Sequence, residues 1–159
     1  MTTLGVLGFS AGGHLAGCCC TMLDPPPDFG VLCYPVVAMT GEHHHAGSRH
    51  HLLGPDATDA NAATLNLHDR VTPTTPPMFL WHTAADEPVP ATNTLLLAAA
   101  LAKHHIPFEA HVYERGRHGL GLVDATGPTA TDQPPEVAAW KDACAAWLTR
   151  RAPHQEATP

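Results

Sequence analysis

A chain of 159 residues suits one ordinary domain and leaves little room for a second. With 44% hydrophobic and only 14% charged residues it carries enough apolar material for a buried core, which excludes compositional disorder. Lys and Arg number 8 against 15 Asp and Glu, a net charge of −7, whereas sequence-independent nucleic-acid binding and docking on anionic membranes both need a surplus of cations.

The elements alternate along the chain. Leu4 to Gly8 is a short apolar run ended by glycine, too brief for a helix, and reads as a strand. Small and helix-compatible residues follow from Ala11 to Leu23, and the helix they predict stops at Asp24 and Pro25 to Pro27. Phe29 to Val37 reads as a second, buried strand, and Ala38 to about Asp59 as a long irregular stretch with Gly41, Gly47, Gly54 and Pro55. Asn61 to Leu67 suits a short helix. Pro76 and Pro77 introduce a third strand, Met78 to His82. Thr92 to His105 is filled with alanine and leucine, with Thr92 or Asn93 available as cap and Pro107 just beyond as stop. Phe108 to Tyr113 alternates as a fourth strand. Pro135 to Arg151 predicts a last helix, with Trp140, Ala143, Cys144 and Trp147 at helical spacing, before a tail at 153–159. Four strands alternating with helices predict an α/β fold with a mostly parallel sheet covered on both faces.

No apolar run reaches the length of a membrane span, and no charged segment followed by an apolar one opens the sequence, so the chain as given is expected to be cytoplasmic. Three of the 5 cysteines are neighbours, Cys18 to Cys20, and no C-x-x-C pair is present, which fits reduced, packed thiols better than a disulfide framework or a zinc site. His43, His44, His45, His50 and His51 make an imidazole-rich loop able to bind a transition metal adventitiously. No cysteine or paired carboxylate completes a site there, and no functional metal or organic cofactor is expected.

The chemistry concentrates in Gly8-Phe9-Ser10-Ala11-Gly12-Gly13, where the first strand turns into the first helix. A tight turn of this kind needs small residues around the serine and presents its hydroxyl at a helix N-terminus, where free N–H groups favour developing negative charge. Asp86 follows the third strand and His118 the fourth. The C-terminal ends of parallel strands share one edge, so the three loops converge there. Serine needs an imidazole to take its proton, and the imidazole needs a carboxylate to hold its tautomer. Glu87 is the rival acid, ranked second because Asp86 directly ends the small-residue turn. His14, in Gly-Gly-His, is expected to pack near the elbow, and Met78 and Trp81 to be core residues of the third strand.

These motifs, GFSAGGHLAG, AGSRHHLLG, VTPTTPPMFLWHTAADEPVP and FEAHVYERGRHGLGL, resemble the acetylxylan-esterase-like branch of the α/β-hydrolase superfamily from Leu4 to about Leu148. The resemblance implies a catalytic triad of Ser10, Asp86 and His118, an acyl-enzyme, cleavage of acyl esters without a cofactor, and an oxyanion contact from the backbone N–H of Ala11. It also implies a departure. The family carries a further N-terminal half with a His-Gly-Gly type loop, which this sequence does not contain, so the chain is expected to be the C-terminal half of the domain with an incomplete oxyanion hole. An open, unselective site accepting aromatic or polymeric esters follows from that expectation. So does a homodimer or higher oligomer formed through the uncharged first strand. Two other readings stay open at this point: a serine peptidase using the same triad, and an inactive remnant with a role in assembly.

Overall fold

A computed structural model describes residues 3–123 and 133–151. Strands β1 (Gly5–Phe9), β2 (Phe29–Cys33), β3 (Met78–Thr83) and β4 (Phe108–Tyr113) form one sheet in sequence order, parallel throughout. Gly5 lies opposite Phe29, Gly30 opposite Met78 and Met78 opposite Phe108, so the strands start level and end level. Helix α1 (Ala11–Met22) joins β1 to β2, and α4 (Thr92–Lys103) joins β3 to β4. Between β2 and β3 lie α2 (Ala46–Leu53), α3 (Asp59–Ala63) and a 3₁₀ turn, Leu67–Arg70. After β4 a 3₁₀ turn at Pro135–Ala139 leads into α5 (Trp140–Thr149).

The two inner strands explain the architecture. Every residue of β3 is buried, as a strand covered on both faces must be. Leu32, Met78 and Leu80 pack with Ala16 and Cys20 of α1 and Leu97 and Leu101 of α4. The alternate residues Val31, Cys33, Phe79 and Trp81 pack with Trp140, Cys144 and Trp147 of α5. Trp81 stacks on Trp140 with ring centroids 5.2 Å apart and planes at 18°. Each fully buried leucine contributes about 1.5–3 kcal/mol relative to exposure, so the two faces together hold the sheet from both sides. Burial pushes the Cys20 and Cys33 thiols up to about 12, in keeping with protonated, packed cysteines. All five cysteines are free. Among the described residues no helix is long and apolar enough to cross a membrane.

Several expectations need correction. The stretch expected to be irregular contains α2, whose residues are none of them buried. Its start is set by His45, whose Nδ1 accepts from the Ser48 N–H at 3.1 Å, and its end by Gly54 at φ +81°. Histidine is outside the usual set of capping residues, and without an apolar stripe the segment had no helical signature. The helix expected over Asn61 to Leu67 is instead α3 at Asp59–Ala63, capped by Thr58, followed by the separate 3₁₀ turn. Strand β2 ends at Cys33 because Tyr34 turns to φ +38°. Asn93 does not cap α4. Its Oδ1 accepts from the N–H groups of Val37 and Ala38 at 2.9 and 3.0 Å, tying α4 to the segment after β2. The expected last helix is 3₁₀ in its first turn. The tail at 153–159 lies outside the described residues.

Candidate active site

Ser10 joins β1 directly to α1 at φ 55°, ψ −120°, a conformation that L-residues rarely adopt. Its N–H donates to the Cys33 carbonyl at 3.0 Å, its carbonyl accepts from the His14 N–H at 3.1 Å, and the turn is thereby clamped on both sides. Gly8 makes the turn possible, since a Cβ there would lie 2.0 Å from the Gly12 carbonyl oxygen and 2.4 Å from its carbon. Both are backbone atoms of α1 and have no rotamer to escape by. Gly8→Ala is therefore expected to destabilise the fold by about 2–3 kcal/mol, seen as a fall of roughly 5–10 °C in the thermal unfolding midpoint. A midpoint within a degree of the parent would contradict that packing.

The structure brings the three side chains singled out in the sequence into one hydrogen-bonded row. Ser10 Oγ lies 2.7 Å from His118 Nε2, and His118 Nδ1 lies 2.6 Å from Asp86 Oδ2. A carboxylate only accepts, so Nδ1 carries the imidazole proton and Nε2 is free to accept from the serine hydroxyl. Asp86 is buried, which by itself pushes its pKa up. Hydrogen bonds from His118, His82 and the Val89 N–H outweigh burial and bring it down to about 2. The carboxyl is thus a carboxylate at any ordinary pH. Glu87, the rival acid, is exposed. Ala11 is the first residue of α1, in the turn whose N–H groups lack intrahelical acceptors.

Tyr34 was not singled out in the sequence, yet it braces the histidine. Its ring meets the His118 ring edge-on at 5.1 Å, and its hydroxyl accepts from the Gly121 N–H at 3.0 Å, holding the loop after β4. His82, read from sequence as a strand residue only, also contacts the carboxylate. Tyr34 has no local signature, because the sheet brings its partners near, whereas His82 lies only four residues before Asp86 in the same strand and turn. His14 packs beneath the elbow as expected: buried, with Nδ1 3.2 Å from the Val36 carbonyl and Nε2 3.4 Å from Cys18 Sγ. Burial lowers its pKa.

An open hollow of about 790 Å³ begins at Ser10 and runs between α1 and α2, floored by Leu15, Met22, Met39, Leu52 and Leu65. His45, Ser48 and His51 stand along it. On the other side of His118 a second hollow of about 710 Å³ is bounded by Glu87, Arg115 and Arg117. In the imidazole-rich loop His44 Nδ1 faces the Gly41 carbonyl at 2.7 Å and His45 caps α2. Among the described residues no group of three or more His, Cys, Asp or Glu is placed to hold a metal ion.

Residues 1–140 match the model of the prolyl oligopeptidase family. Endo-1,4-beta-xylanase B of Butyrivibrio fibrisolvens is 38% identical over 132 residues, 75% of this chain and 21% of that protein. Acetylxylan esterase of Xylanibacter ruminicola is 30% identical over 132 residues, 75% of this chain and 26% of that one. The crystal structure of an acetyl ester-xyloside bifunctional hydrolase from Caldicellulosiruptor lactoaceticus superposes with a TM-score of 0.82 at 42% identity, over 92% of this chain and 56% of that one. The chain therefore spans about a quarter or less of these curated relatives and just over half of this solved structure.

Proposed function

The chain belongs to the prolyl oligopeptidase family, within the α/β-hydrolases, and on that footing we propose that it is a serine carboxylic-ester hydrolase acting through Ser10, His118 and Asp86. The observation that carries this reading is the unbroken row from Ser10 Oγ through His118 to Asp86, at 2.7 and 2.6 Å, with every proton assignable. The names of the relatives support ester hydrolysis, since an acetylxylan esterase and an acetyl ester hydrolase stand among them.

In this reading Ser10 Oγ attacks the acyl carbon while its proton passes to His118 Nε2. The resulting imidazolium is balanced by Asp86, and the oxyanion accepts from the Ala11 N–H at the start of α1. Collapse of the tetrahedral species breaks the bond to the alcohol oxygen, which leaves with the proton from Nε2. Water then attacks the acyl carbon as its proton passes to Nε2. Collapse of this second tetrahedral species breaks the bond to Ser10 Oγ, which takes the proton back from Nε2 as the acid leaves. The apolar, open hollow beside Ser10 supports acceptance of bulky or aromatic acyl groups, including those of polyesters, with weak selectivity. Open walls supply little binding energy to discriminate substrates.

A peptidase is the second reading, supported by the family model. An amide needs stronger acid catalysis and fuller oxyanion stabilisation than an activated ester, so the two separate experimentally. The protein is expected to hydrolyse p-nitrophenyl acetate and an aromatic diester, and to form a Ser10 adduct with a fluorophosphonate visible by intact mass. Turnover of a p-nitroanilide at a rate comparable to the ester would favour the peptidase. Absence of any Ser10 adduct would leave an inactive protein and remove the proposal.

A further inference from the structure

A second imidazole lies behind the carboxylate. His82 in β3 is fully buried and hydrogen-bonds the Val89 carbonyl through Nε2 at 2.8 Å, with Asp86 Oδ2 3.2 Å from the same nitrogen. Neither partner can donate, so Nε2 carries the proton. On the other side of the ring, Nδ1 meets the hydroxyl of Thr94 at 2.8 Å, which donates to it. Thr94 is itself fully buried in the first turn of α4. Val89 closes the figure by donating its N–H to Asp86 Oδ1 at 3.0 Å. Both carboxylate oxygens are thus held from inside the protein, and Oδ2 is shared between His118 and His82.

An apolar side chain would fill the space at 82 without three polar contacts to satisfy. A buried ring nitrogen left unpaired is costly, and here each nitrogen has a partner whose own position bears on Asp86. We propose that His82 is a positioning residue for ester hydrolysis: held in one tautomer by Thr94, its Nε2–H fixes the turn from Asp86 to Val89 and the carboxylate that orients His118. The proposal rests on the serine-hydrolase reading above. The ionisable groups around this carboxylate and its partner are His118 from the loop after β4, His82 from β3, and Tyr34, whose ring lies against His118. To these are added Arg117, which donates to the His118 carbonyl at 2.8 Å, and Glu87 and Arg115, which line the same hollow as His118.

The test compares wild type with His82→Leu, His82→Gln, Thr94→Val and Thr94→Ser. Steady-state hydrolysis of p-nitrophenyl acetate is followed across the pH–rate profile, together with the rate of Ser10 labelling by an alkyl fluorophosphonate. His82→Leu is expected to lower kcat about 10- to 100-fold, with KM within about twofold. It should also move the midpoint of the pH–rate profile downward, because a carboxylate free to turn supports the imidazolium of His118 less well. Glutamine can carry an N–H to the same two acceptors and is expected to recover most of the loss. Thr94→Val removes one hydroxyl at nearly constant volume, so it carries the test if His82→Leu fails to fold. It should lower kcat roughly three- to tenfold with the same direction of shift, and Thr94→Ser should restore both. A merely structural role would lower stability and leave the midpoint where it is. The proposal is overturned by kcat near wild type in the leucine and valine variants, by an unmoved midpoint, or by a glutamine variant no better than leucine. Wild type that fails to label at Ser10 would overturn the ester-hydrolase reading itself, and this inference with it.

Discussion

Replacing Ser10 by alanine is expected to lower kcat/KM for p-nitrophenyl acetate by at least about 10⁴-fold, to the level given by substrate binding and solvent attack alone. The change removes one oxygen whose hydrogen-bond partner is His118 Nε2 at 2.7 Å. It leaves the Cβ that already sits at φ 55°, so the elbow keeps its geometry and the strain there is unaltered. The N–H of residue 10 still donates to the Cys33 carbonyl, and its carbonyl still accepts from His14. Unfolding midpoints of parent and variant should therefore agree within about two degrees, which separates lost chemistry from lost structure. Turnover in the variant above a tenth of the parent rate would place the nucleophile elsewhere. The variant should also fail to take up a fluorophosphonate, since that adduct needs the same oxygen.

The legibility of this site in the sequence follows from where its constraints are local. Gly8, Ser10 and Ala11 are neighbours, and the apolar run before them with the small residues after them names a strand, a turn and a helix. Asp86 and His118 each follow a strand directly, so parallel topology alone brings them to the same edge as Ser10. The alternation of strands and helices is visible for the same reason, because β1 and β3 are apolar runs bounded by glycine or proline and β4 alternates directly after Pro107. What could not be read depends on contacts between distant segments. Tyr34 reaches Gly121, and Asn93 leaves the cap position open to bind the backbone of Val37 and Ala38. In sequence His82 is one more residue of a buried strand. Its partners Thr94 and Val89 come from the following turn and helix, and no spacing rule links them. Helix α2 was missed on energetic grounds. It buries no residue, so periodicity had nothing to report, and its start is set by an imidazole cap.

Asp86→Asn tests the other end of the row, and the hydrogen bonds around the carboxyl dictate the outcome. Val89 donates to Oδ1, so the asparagine carbonyl oxygen is drawn to that position and its NH₂ takes the place of Oδ2. There it faces His118 Nδ1, which must then accept, and the proton moves to Nε2 opposite the serine hydroxyl. An imidazole in that tautomer cannot take the serine proton, and kcat is expected to fall about 10³- to 10⁴-fold with KM within about twofold. The same NH₂ also faces the Nε2–H of His82 at the Oδ2 position, so two donors are opposed there, and some stability is lost although His82 keeps the Val89 carbonyl. The acid side supplies a separate signature. Asp86 is depressed from an ordinary value of about 3.9 to about 2, so its stabilising contribution is complete above the unfolded value and lost as pH falls through the folded one. Between roughly pH 4 and pH 2 the wild type should lose on the order of 2 kcal/mol of unfolding free energy that the asparagine variant does not. Urea unfolding at several pH values reads this difference directly. Parallel losses in the two proteins over that window would mean that Asp86 is not held as a carboxylate by His118, His82 and Val89, and activity above a tenth of wild type would mean that it does not set the tautomer of His118.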